Sequence, residues 1–129
     1  MDRVFLDANV LFSAAYRPDS GLLILWNRAG TTLLTSAHAV EEARRNLSED
    51  DQRQRLSALT RKCEIVATPT VADLPEEPVL PPSDRMIFLA AMAAHATHLL
   101  TGDRTHFGPY YGRTIAGVLI LSPSAYLRG

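Results

Sequence analysis

Short apolar runs rich in β-branched or aromatic side chains alternate with longer stretches of helical periodicity along the whole chain, and few folds accept that pattern. Arg3-Val4-Phe5-Leu6 reads as a strand, and a short apolar helix follows it through Tyr16. Pro18 breaks that helix. Asp19 or Ser20 caps the next one, with Leu22, Leu23, Leu25 and Trp26 as its apolar residues and Gly30 past its end. Thr32 to Thr35 is a second strand. Ser36 then caps a helix whose face carries Ala39, Val40, Ala43 and Leu47. Ser48, with Asp51 three residues on, gives a charged helix a capping-box-like start, and Leu56 and Leu59 form its thin apolar face. Ile65-Val66-Ala67 is a third strand. Residues 68–82 hold Pro69, Pro75, Pro78, Pro81 and Pro82, which makes them a loop. Ser83 caps an apolar helix from Asp84 to about Ala96. Leu99-Leu100-Thr101 is a fourth strand, Val118 to Leu121 a fifth, and Ser122-Pro123 opens a last helical turn.

Strands separated by helices imply an α/β fold: three layers, α/β/α, around a central, mostly parallel five-stranded sheet covered on both faces. With 129 residues the chain is one domain, residues 1–129. The proline loop does not divide it, because the part beyond is too short to bury a core of its own. A hydrophobic share of 47% and a charged share of 21% exclude a disordered tail, a collagen-like chain and a disulfide mini-protein. The net charge of −1 gives no global basic field to announce nucleic acid. The single Cys63 forbids an internal disulfide and fits a reducing compartment. The carboxylates of Asp2 and Asp7 leave no room for a signal-peptide run between them. The most apolar stretch, Met86 to Leu100, is too short and too polar to span a membrane. The expectation is a soluble cytoplasmic protein.

Sites in parallel sheets form beyond the carboxyl ends of the strands. Asp7 follows the first strand and Asp103 the fourth. Asp84 lies in the first turn of the helix leading into the fourth strand, and Glu41 and Glu42 lie in the helix after the second. Acids from four segments therefore converge on one rim. Taken singly, each also serves as a cap, a turn residue or a solvated helix face. Clustered carboxylates repel one another, and a hard divalent cation resolves the conflict. Mg²⁺ and Mn²⁺ take oxygen ligands, lower the pKa of a bound water and offset phosphate charge. The chemistry implied is phosphodiester hydrolysis at an all-oxygen donor set.

Val4-Phe5-Leu6-Asp7-Ala8-Asn9-Val10-Leu11, Thr35-Ser36 with Glu42, Asp84 with Leu89-Ala90-Ala91, and Leu99-Leu100-Thr101-Gly102-Asp103 together resemble the acidic motifs of the PIN-domain nucleases. The likeness is to the small toxin ribonucleases of bacterial toxin–antitoxin pairs (VapC-like). The ending Gly117-Val118-Leu119-Ile120-Leu121-Ser122-Pro123 is similar as well, and the resemblance covers nearly the whole chain. It implies a Mg²⁺- or Mn²⁺-dependent endoribonuclease with Asp7, Glu42, Asp84 and Asp103 around the metal. Asn9 would orient Asp7 or its water. It also implies a homodimer and a cognate antitoxin protein. Helix phase leaves Glu41 and Glu42 both open as the second acid; the family's acid directly precedes a core residue, here Ala43, which favours Glu42.

Arg85 and Arg104 each follow a proposed metal acid and suit contacts to substrate phosphate. His106, three residues past Asp103, either touches the phosphate or orders its loop. His95 and His98, three apart at a helix end, lack the further ligands that a zinc site needs and read as solvent-facing or as complements to the helix dipole. The arginines of residues 41–62 lie among as many acids and read as a salt-bridged surface. Leu22, Leu23, Leu25 and Trp26 form an apolar run wider than one helical stripe, which suits a subunit contact or a fully buried helix. Phosphoacceptor receiver domains need a Lys after the last strand, and Lys62 lies well before it. Haloacid-dehalogenase-like phosphatases need a second acid where Asn9 stands. The competing non-enzyme reading is a nuclease-like module that binds RNA or protein without cleavage.

Overall fold

The strand–helix alternation resolves into one sheet. The computed structural model describes residues 1–69 and 78–129; Pro75 of the proline-rich loop lies outside the described residues. Among the described residues the strands are β1 (Asp2–Leu6), β2 (Thr31–Ser36), β3 (Glu64–Val66), β4 (His98–Leu100), β5 (Thr114–Ile115) and β6 (Val118–Leu121). They lie in the order β3-β2-β1-β4-β6-β5, and every pair is parallel except β5 with β6. Val4, Phe5, Leu6, Leu34, Leu99, Leu100 and Ile120 are fully buried, as strands covered on both faces require.

The α/β class matches the sequence reading, with six strands in place of five. The added strand, β5, is two residues long and carries no apolar run of its own. It forms because Ala116 and Gly117 both take positive φ, 51° and 82°, which turns the chain straight back onto β6.

The helices are α1 (Ala8–Tyr16), α2 (Ala37–Asn46), α3 (Asp50–Thr60), α4 (Pro82–Ala93) and α5 (Pro123–Arg128). The chain steps outward from β1 to β2 to β3 and returns to place β4 on the other side of β1. Right-handed crossovers therefore put α1, α2 and α3 on one face and α4 on the other. In keeping with this, α1 packs on α2 and α3 while α4 packs on β2 and β4. The reversal leaves a topological switch point between β1 and β4, where such sheets open a crevice at their carboxyl ends.

Several local expectations shift. Gly21–Asn27 is a 3₁₀ helix capped by the Ser20 hydroxyl. Its three-residue turn puts Leu22 and Leu25 on one side, so Leu25 is buried and Leu22 and Trp26 pack on the core; Ile24 is left exposed. The apolar run is thus largely absorbed by the core. The start of α3 uses Gln52, whose side chain accepts the Glu49 N–H at 3.1 Å, in place of Ser48 and Asp51. Helix α4 begins one residue before Ser83, because Pro82 suits the first helical position. It ends before Ala96, because His95 adopts φ 55°. There Ala96 N–H donates to Ala91 and His95 N–H to Met92, a Schellman closure built without glycine.

Candidate active site

Strand register builds the centre of the site. Leu6 pairs with Leu100, so Asp7 and Thr101 emerge side by side, each one residue beyond its strand. Asp7 caps α1: its Oδ1 accepts the Ala8 N–H at 2.7 Å. Its Oδ2 accepts the Thr101 hydroxyl at 2.8 Å and the Asn9 amide at 3.3 Å. Asn9 Oδ1 in turn accepts the Gly102 N–H at 2.7 Å. A Cβ on Gly102 would stand 3.3 Å from that oxygen, so the close approach suits glycine. Thr101 Oγ1 also accepts the Asp103 N–H at 3.1 Å. One hydroxyl therefore ties Asp7 to the loop that carries Asp103.

Asp7 is 3% exposed. Burial pushes its pKa up to about 6, against the pull of the Thr101 and Ala8 hydrogen bonds; the charges of Asp84 and Glu42 add to the push. Asp84, in the first turn of α4, is raised by its own burial and by Asp103 and Glu42, and eased by His106 and His38. Burial pushes Asp103 up as well, but hydrogen bonds from the backbone and ring of His106, its charge, and the Thr105 N–H outweigh that and hold the carboxyl below its ordinary value.

His106 changes the donor set. Its Nδ1 lies 2.9 Å from Asp103 Oδ2 and 3.0 Å from Asp84 Oδ2, bridging the two carboxylates. The hydrogen bond to Asp103 raises the ring's pKa against desolvation, and the fields of both acids add to the rise. Among the described residues Asp84, Asp103 and His106 form a group whose ligand atoms lie within 4.8 Å of one another. A histidine therefore stands beside the carboxylate oxygens, within ligand distance of Asp84 and Asp103. Asp7 and Glu42 stand outside that tight group and reach it through their fields.

Glu42 is half-buried and lines a cavity of about 220 Å³ with Ala8, Asn9, Phe12 and Asn46; Glu41 is exposed. Arg104 is exposed in the Asp103 loop, and its charge reaches Tyr111. Arg85, also exposed, donates to the Leu80 carbonyl at 3.4 Å. His38 Nε2 lies 3.1 Å from the Ser83 hydroxyl, beside Asp84. His98 is turned away, edge-on to Tyr126. Thr101 is the residue that sequence reasoning placed in a strand and left without a role. Its signal was a hydroxyl at the strand's end, two residues before an acid. The Tyr111 hydroxyl, which donates to the Thr101 carbonyl at 2.7 Å, had no sequence signal.

Residues 3–105 match the sequence profile of the PIN domain. No curated protein matches the chain. Among solved structures, the fold is similar to a chain in the crystal structure of VapBC2 from Rickettsia felis bound to a DNA fragment from their promoter. The TM-score is 0.63 over 93% of this chain and 98% of that one, at 16% identity. The profile spans β1 through the Asp103 loop, and with it every acid placed above: the chain belongs to the PIN domain family.

Proposed function

We propose that this chain is a Mg²⁺- or Mn²⁺-dependent endoribonuclease and the toxin half of a toxin–antitoxin pair. The observation that carries the reading is the convergence of Asp7, Asp84 and Asp103, with Glu42 in their field, at the switch point of a PIN domain. Carboxylates that raise one another's pKa lack a cation's worth of positive charge, and the oxygens present suit a hard divalent ion. Asp84 and Asp103 would hold it together with Asp7 and Glu42. When bound, the ion supplies a positive centre that acidifies water and offsets phosphate charge.

The chain's own residues do the rest. Asn9 and Thr101 fix the Asp7 carboxylate so that it need not reorganise. His106 bridges Asp84 and Asp103 in the metal-free chain and, when protonated, offsets part of their charge. Arg85 and Arg104, exposed on the same rim, draw in a phosphate and orient it. The partners are an RNA substrate, a cognate antitoxin protein and a second copy of the chain in a homodimer. No helix among the described residues is long and apolar enough to cross a membrane, and the proposed place of action is the cytoplasm. The likeness of fold to a chain of VapBC2 from Rickettsia felis supports the toxin–antitoxin part of the reading.

The test is cleavage of structured and unstructured RNA with and without chelator, with Asp7→Asn as the control. Cleavage that stops in EDTA, returns with Mn²⁺ or Mg²⁺ and is absent from the variant supports the reading. Cleavage that survives exhaustive chelation, or an inert chain under every divalent ion, overturns it.

A further inference from the structure

Phe12 lines two cavities. One is the 220 Å³ space it shares with Asn9 and Glu42. The other, of about 380 Å³, is lined by Phe12, Ser13, Tyr16, Arg17, Asp19 and Ser20. It lies where α1 gives way to the 3₁₀ helix, outside the acid cluster. Tyr16 is 47% exposed, and its ring sits 5.4 Å from the Phe12 ring, centroid to centroid, tilted by 37°. The carbonyls at the end of α1 are already satisfied from α3. Arg55 donates to Ala15 and Tyr16, and Gln52 to Tyr16. Arg17 is therefore not spent on closing the helix. Neither its guanidinium nor the Tyr16 hydroxyl is tied to another side chain among the described residues.

We propose that this second cavity is a nucleotide subsite, which takes a base of single-stranded RNA while the chain of phosphates runs past Phe12 to the acids; this rests on the ribonuclease reading. Exposed aromatic faces beside a guanidinium are what single-strand binding uses: the ring stacks on a base of any sequence and the cation holds the adjoining phosphate. The Ser13 and Ser20 hydroxyls and the Asp19 carboxylate offer hydrogen-bond partners to a base edge. The volume is that of a small-molecule site. Phe12 is a wall of both cavities, so the subsite lies next to the Asn9–Glu42 space. A peptide would need a longer apolar groove than the one aromatic pair provides.

The experiment is equilibrium binding of a fluorescein-labelled oligoadenylate, read by anisotropy in chelator, beside a separate cleavage assay with Mn²⁺. Tyr16→Ala and Arg17→Gln are each expected to weaken binding roughly tenfold. Tyr16→Phe keeps the ring and is expected to bind as the parent does. Arg17→Gln is also expected to flatten the dependence of log affinity on log salt by about 0.7. A parent chain that binds the probe with these losses but cleaves no RNA sinks the ribonuclease reading and leaves the subsite standing. Variants that bind the probe as tightly as a cleaving parent overturn the subsite alone. A parent that does not bind the probe overturns it too, as do losses confined to a protein partner, which would give the cavity to that partner.

Discussion

The Thr101 hydroxyl donates a 2.8 Å hydrogen bond to Asp7 Oδ2, joining two residues far apart in the sequence that each stand one place beyond a strand. That bond holds the Asp7 pKa below where burial alone would put it. Thr101→Val removes the donor and keeps the shape. A hydrogen bond to a charged group is worth about 1.5–3 kcal/mol, so the variant is expected to lose at least tenfold in cleavage at neutral pH. The acid limb of its pH–rate profile moves upward, while Thr101→Ser restores it. A Thr101→Val profile that overlays the parent's shows that the hydroxyl has no such role.

The metal-free chain is expected to be more stable in mild acid than above neutrality. Asp7, raised to about 6, keeps in the folded chain a proton that the unfolded chain releases near 3.8. Its contribution is full below 3.8 and is lost as pH rises through about 6, on the order of 3 kcal/mol. Asp84 acts in the same sense. His106, raised, adds stability that is present below 6.5 and lost as pH rises through its folded value. Asp103, lowered, acts oppositely: its contribution is present above its ordinary value and is lost as pH falls through the folded one. Urea unfolding in chelator at about pH 5 and pH 8 reads the balance. Asp7→Asn flattens the slope, and a chain equally stable at both pH values rules out the buried proton.

Charge repulsion alone would have Asp103→Asn raise the melting temperature of the metal-free chain. The structure reverses that expectation, because Asp103 accepts two backbone N–H groups and the His106 ring. Asp103→Asn and His106→Ala are each expected to lower the metal-free melting temperature by a few degrees. Saturating Mg²⁺ narrows the His106→Ala deficit, since the ion takes over neutralising Asp84 and Asp103, and stabilises the parent by mass action. Calorimetry with Mg²⁺ and with EDTA checks both. A deficit for His106→Ala that Mg²⁺ leaves unchanged shows a purely structural loop residue.

Glu42 lines the cavity beside Asn9 and adds its field to Asp7 and Asp84, whereas the Glu41 side chain is exposed. Glu42→Gln is expected to reduce cleavage by orders of magnitude, because charge stabilisation at such a site is worth several kcal/mol. Glu41→Gln stays within a few-fold. Steady-state rates for the pair decide it, and the reverse ranking would move the second acid by one residue.

The main strands were legible because a covered parallel sheet needs unbroken apolar runs, and Val4-Phe5-Leu6 or Leu99-Leu100 have no other use. Their ends slipped by a residue, as at His98 and Glu64, since the hydrogen-bond ladder runs one place further than the apolar side chains announce. Strand β5 was hidden because Ala116 gives no sign of a positive φ. The end of α4 was hidden in the same way at His95. Asp7 and Asp103 could be placed by counting past strand ends, and Asp84 by the start of its helix. The bridging position of His106 and the hydroxyl of Thr101 could not, because both depend on how two loops fold against one rim.

Register between β1 and β4 does more than align a sheet. A slip of one residue would turn the side chains to the opposite face and part Asp7 from Thr101. The pairing also spans most of the chain, so it belongs with the late, slow contacts of folding. On the nuclease function proposed above, a chain in which β1 and β4 have not paired in register lacks the Asp7–Thr101 contact and is expected to be inert. Refolding followed by cleavage is then expected to lag refolding followed by helix signal, by the time the first strand takes to find the fourth.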